Sequence, residues 1–141
     1  MSKIEFMVSA SGKGTATTAN TGKHDIVIDA SQETGPNPLE TLLSTLAACE
    51  NGTAHAVAEE MNFDLRGIAF KINGEVDSRG VMGDLNVRPY FEKVEIEAVV
   101  QTTESEERLN ELQHAVESRC PLYGIFKAAD VQMIDRWVKA E

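Results

Sequence analysis

The feature that most constrains this chain is the stretch PLETLLSTLAACENGTAHAVAEEM, from Pro38 to Met61. It reads as one long helix. Asn37 stands at the N-cap, Pro38 at the first helical position, and Glu40 three residues after Asn37, as in a capping box. Leu39, Leu42, Leu43 and Leu46 give way to Ala47, Ala48, Cys49, Ala54, Ala56, Val57 and Ala58. From Leu46 onward small or apolar residues fall on nearly every side, the mark of a helix covered all round. A chain of 141 residues has little material with which to wrap one helix completely, so the pattern predicts cover from a second subunit. Asn51-Gly52 lies in the middle, and a glycine there costs about 1 kcal/mol against alanine. Its presence predicts that another backbone or a ligand comes close.

Strand patterns flank this helix. Ile4–Ala10 alternates, Lys13–Ala19 is small and threonine-rich, and His24–Ala30 alternates again, with turns expected at Ser11-Gly12 and Asn20-Thr21-Gly22. Leu65–Val76 and Arg88–Thr102 read as two more strands around a loop, SRGVMGDLN. A second helix is expected from the capping box Thr103-Glu104-Ser105-Glu106, with an apolar stripe of Leu109, Leu112, Val116 and Cys120. Pro121 restarts a short helix to Ala128, and Asp130–Lys139 closes the chain as a strand. The order β-β-β-α-β-β-α-α-β is that of a single α+β domain over residues 1–141 with a mostly antiparallel sheet.

Composition excludes several classes of function. The formal net charge of −10 leaves neither phosphate neutralisation nor polybasic docking, so neither nucleic acid nor an anionic membrane is an expected partner. No stretch approaches the length of a membrane span, and the N-terminus lacks a signal-peptide core. The expected location is the cytoplasm. There, paired cysteines serve in catalysis, redox sensing or metal binding more often than as structural disulfides.

Three chemistries compete for the titratable residues. A metal site would draw on Cys49, His55, His114 and Cys120, but residues six apart on a helix point about 240° apart. No CxxC or HExxH spacing occurs, and no metal or cofactor is expected. A carboxylate pair would need Glu40, Glu59 or Glu60, which read as a cap and a solvated helix end. His24, His55 and His114 have no Ser or Asp set at triad spacing. The third chemistry is a pair of redox thiols, Cys49 and Cys120. Cys120 precedes a helix start, where the dipole lowers a thiol pKa. Cys49, inside a helix, needs a cation, for which Lys13, Arg79, Arg88 and Arg119 are the candidates. The bland alternative is two buried hydrophobes that never react.

The whole pattern, GPNPLETLLSTLAAC followed some seventy residues later by Cys120-Pro121-Leu122-Tyr123, resembles the OsmC/Ohr family of osmotically inducible and organic hydroperoxide resistance proteins. The resemblance covers nearly the entire chain. It implies an intertwined homodimer in which sheet from both subunits wraps long central helices, with the active sites at the dimer interface. It also implies thiol-dependent reduction of organic hydroperoxides, with electrons from an external dithiol such as a lipoylated protein. By position Cys49 matches the peroxidatic cysteine and Cys120 the resolving one. The family's glutamate ten residues before the first cysteine is replaced here by Leu39, with Glu40 one step on. Its activating arginine is matched best by Lys13 in Ser11-Gly12-Lys13-Gly14. Leu39, Leu42, Leu43 and Leu46 are the expected lining of an apolar substrate pocket. The replaced glutamate also favours a rival, a dimeric binding or redox-sensing protein of the same fold with little turnover.

Overall fold

The computed structural model describes residues 2–141, which fall into two compact units. The first ends at Ser44 and the second runs from Thr45 to Glu141.

In the first unit β1 (Ser9–Lys13), β2 (Ala16–Asn20) and β3 (Asp25–Asp29) form an antiparallel meander. Ser11 and Gly12 lie inside β1 rather than in a turn. Lys13 pairs with Ala16, so the chain reverses at Gly14-Thr15, where Gly14 takes a φ of +60° that suits glycine. The alternation expected from Ile4 becomes a strand only at Ser9, and residues 2–8 have no strand partner among the described residues. Alternation specifies a face, but a strand also needs a neighbour to bond, and Ile4, Phe6 and Met7 stay exposed. After β3 the buried Asp29 gathers the loop. Its carboxylate accepts from the hydroxyls of Thr15 and Thr34 and from the N–H and O–H of Ser31. These bonds hold its pKa well below the usual carboxylate range. Gly35 is needed at the next step, since a Cβ there would sit 2.6 Å from the Val27 carbonyl oxygen.

Helix α1 (Pro38–Met61) has the expected bounds. The Asn37 N–H donates to Glu40 Oε1 at 3.0 Å, and Asn37 Oδ1 accepts from the Glu40 N–H at 2.8 Å, so the capping box is complete. The helix starts in the first unit and continues into the second.

The second unit adds β4 (Gly67–Glu75), α2 (Ser78–Val81), β5 (Lys93–Gln101), α3 (Glu106–Arg119), α4 (Pro121–Ala128) and β6 (Gln132–Lys139). Strands β4 and β5 pair antiparallel and β5 and β6 pair parallel, in the order β4-β5-β6. A parallel neighbour requires a crossover, and α3 with α4 supplies it. The short α2 lies in the segment read as a loop, capped by the Asp77 carboxylate. The α3 cap is Ser105, which accepts from the Arg108 N–H, and not the box expected from Thr103. The Thr103 hydroxyl donates instead to Asp64 Oδ2 at 2.7 Å, while Glu104 accepts from the Asp64 N–H and pairs with Arg108.

The core of this unit joins Ala54, Val57 and Ala58 of α1 to Ala98 and Val100 of β5, Leu109, Leu112 and Val116 of α3, and Trp137 of β6. The other side of α1 is open. Ala48, Gly52, His55 and Ala56 are exposed, and a Cβ at Gly52 would meet nothing within 4 Å. The complete cover and the close approach expected at Asn51-Gly52 are therefore not supplied among the described residues of one chain.

The cap of α1 is separable from its packing. Asn37→Ala is expected to cost about 1 kcal/mol, read as a lower urea midpoint with an unchanged slope.

Candidate functional site

Two sulfurs meet in the second unit. Cys49 lies half-buried in the middle of α1, and Cys120 is 3% exposed at the junction of α3 and α4. The Cys120 thiol donates to Cys49 Sγ across 2.9 Å, and both cysteines are free. A disulfide needs about 2.05 Å, so the pair can close with a small side-chain shift.

Local sequence explains the position of Cys120. It ends α3, its N–H donating to the Val116 carbonyl at 2.8 Å. It also begins α4, its sulfur accepting from the Tyr123 N–H at 3.5 Å, while Pro121 at the next position has no N–H to satisfy. The helix start was expected to lower the Cys120 pKa. Instead burial, and then the Cys49 neighbour, push the thiol up to about 12. The magnitudes decide this. A helix end contributes about 0.3–2 kcal/mol, whereas full desolvation can move a pKa by about 3–5 units. Cys120 is therefore a thiol that donates, and Cys49 is the sulfur that receives.

Arg79 is paired with Asp77, Arg119 with Glu60, and Arg88 donates to the carbonyls of Asp130 and Glu92 and stacks on Tyr90. Lys13 closes β1 in the first unit. His55 is exposed on α1, and His114 Nδ1 meets the Asn110 carbonyl. Glu40 is a capping residue and Glu59 is exposed, as read from the sequence. Leu39, Leu42, Leu43 and Leu46 share one face of α1, and Leu46 is fully buried.

One residue of the site carried no role in the sequence reading. Glu50, next to Cys49, is 1% exposed, and neither carboxyl oxygen has a hydrogen-bond partner. Around it stand Glu117 of α3, Asp135 of β6 and Tyr123 of α4. The Tyr123 O–H donates to Asp135 Oδ2, and Gln113 Nε2 donates to Glu117 Oε2 at 2.8 Å. Asp135 Oδ1 and Trp137 Nε1 are buried without partners. Burial first, then the charges of Asp135 and Glu117, push Glu50 up to about 8. Burial likewise raises Glu117 and Tyr123. The sequence signal for Glu50 was its place one step from a cysteine in an apolar helix. A charged group that deep is costly, so at neutral pH it is held mainly as the acid.

That proton has a stability signature. An unfolded glutamate loses its proton near pH 4.3, while folded Glu50 keeps it to about pH 8. Between those values the native state binds the extra proton, so stability is greatest below the unfolded value and falls as pH rises. The slope approaches about 1.4 kcal/mol per pH unit. Glu50→Gln is expected to flatten the fall between pH 5 and 8, measured by urea unfolding, leaving only the contribution of Glu117.

The family model of OsmC-like proteins matches residues 30–133. An uncharacterised protein of Haloferax volcanii is 27% identical over 129 residues, covering 89% of this chain and 92% of its own. Among solved structures, an OsmC-like protein from Mycoplasma pneumoniae superposes with a TM-score of 0.88 at 20% identity, covering 100% of both chains. The organic hydroperoxide resistance protein OhrB of Bacillus subtilis reaches 0.64 at 24% identity, over 95% of this chain and 98% of its own. The fold, the α+β order and the extent of the family match agree, and the chain belongs to the OsmC-like protein family.

Proposed function

We propose that this protein is a thiol-dependent peroxidase that reduces organic hydroperoxides. The observation that carries the reading is the 2.9 Å approach of two free sulfurs from residues 71 positions apart. The Cys49 thiolate attacks the peroxide, the O–O bond breaks, and an S–O bond forms. The alcohol leaves with a proton, and the Cys49 sulfur, oxidised by two electrons, becomes a sulfenic acid. Cys120 then attacks that sulfur. The S–O bond breaks, the S–S bond forms, and the thiol proton leaves in water. An external dithiol, such as a lipoyl group on a protein, returns two electrons and two protons and becomes a disulfide itself.

The roles follow from exposure. Cys49 is the half-buried partner and meets the peroxide, and Cys120 is the sealed thiol that resolves. Lys13 is the candidate cation for the Cys49 thiolate, and Leu39, Leu42, Leu43 and Leu46 the candidate apolar lining. The working unit is a homodimer in which the open face of α1, with Ala48, Gly52 and Ala56, meets its copy. Small side chains on such a face allow backbones to approach closely. No helix among the described residues is long and apolar enough to cross a membrane, and a cytoplasmic location fits the dithiol donor. A binding or redox-sensing protein with slow turnover is the second reading, favoured by Leu39 standing where the resemblance implies a glutamate.

Stopped-flow mixing of reduced protein with cumene hydroperoxide separates the two. The peroxidase reading expects two thiols lost per peroxide at micromolar concentration. Cys120→Ser should lose one thiol and give a dimedone-trapped sulfenic acid at Cys49. Cys49→Ser should slow the reaction by at least about a hundredfold. Absence of thiol loss in the unmodified protein overturns the peroxidase reading. Sedimentation equilibrium should give twice the chain mass, and Gly52→Trp should shift it toward the monomer.

A further inference from the structure

We propose that Glu50 is a positioning residue of the thiol site: as the neutral acid it permits Cys49 to ionise, and on losing its proton it holds Cys49 in the unreactive thiol form. The proposal rests on the thiol reading above and adds a control to it. Thiolate and carboxylate would be anions on consecutive residues of α1. Both Glu50 oxygens are buried without a hydrogen-bond partner, so nothing on the protein side compensates the charge it would carry.

The groups facing Glu50 from the other elements bear the same sign or none. They are Glu117 on α3, Asp135 on β6 and Tyr123 on α4. Cys49 precedes Glu50 on α1. His114, the nearby base, acts on Glu117. Tyr123 links the two halves of the arrangement. Its N–H donates to Cys120 Sγ and its O–H to Asp135, so one residue of α4 touches both Cys120 and the carboxyl cluster. The raised ionisation of Glu50, at about 8, puts its charge change in the range where a thiol also ionises, near 8.5 when free. Neighbouring acids whose ionisations fall in one range titrate as a pair. At an effective dielectric of about 20, neighbouring unit charges disfavour one another by a factor of about ten to a hundred.

The test is the pH profile of Cys49 alkylation by iodoacetamide in the reduced protein, followed by peptide mass spectrometry. The unmodified protein should show two steps between pH 6.5 and 10. Glu50→Gln should show one step, match the parent at pH 6.5, and react about tenfold faster at pH 9. Asp135→Asn removes a charge that raises Glu50, so its first break should move to lower pH, a readout that holds even if Glu50→Gln folds poorly. Superposable profiles for the parent and both variants overturn the proposal, as does a Glu50→Gln protein that is slower at every pH. Alkylation needs no peroxide, so the two readings fail separately. A two-step profile without thiol loss to cumene hydroperoxide removes the peroxidase and keeps the control, and thiol loss with identical profiles does the reverse.

Discussion

Everything at the candidate site depends on how Cys120 is held. One residue closes α3 through its N–H and opens α4 through its sulfur. A shift of one residue at this junction would turn the α4 side chains by about 100° and take the sulfur away from α1. The apolar stripe of Leu109, Leu112 and Val116 fixes the roll of α3 against the core, and that roll delivers Cys120 to its place. Packing energy in the hydrophobic layer is thereby converted into the placement of one sulfur atom.

The two thiols differ because burial and dipole act unequally on them. Cys120 sits at a helix start, which favours an anion, yet it is sealed, and desolvation is the stronger effect. It keeps its proton and points it at Cys49. The asymmetry suits a division of labour in which one sulfur is accessible and the other waits. Glu50 adds a third proton nearby, retained for the same reason, in a region where apolar packing alone would have been more stable.

Much of the fold was legible in the residues. The reciprocal Asn37 and Glu40 bonds were readable because a capping box is local chemistry, and the α1 bounds followed. The cysteine pair was readable as candidates, since two such residues in an acidic chain have few roles. Features set by distant partners were not readable. Residues 4–8 alternate as a strand but have no described neighbour, the first turn slid from Gly12 to Gly14, and the α3 cap moved to Ser105 because the Thr103 hydroxyl found Asp64. Cys120 had a local signal for a lowered pKa and a tertiary environment that reversed it. Glu50 was visible as an oddity, but Glu117 and Asp135 lie 67 and 85 positions away along the chain, and nothing local announces that the three converge.

The parallel register of β6 on β5 ties the site to the order of synthesis. A ribosome extends the chain from its N-terminus, so β4 and β5 can pair as a local antiparallel unit while the crossover helices are still emerging. Asp135 and Trp137 arrive only with the last strand. The nascent protein thus holds both cysteines before it holds the strand that completes their surroundings. Glu50 meets Asp135 only once β6 is in place, so the acidity of the interior waits on that strand.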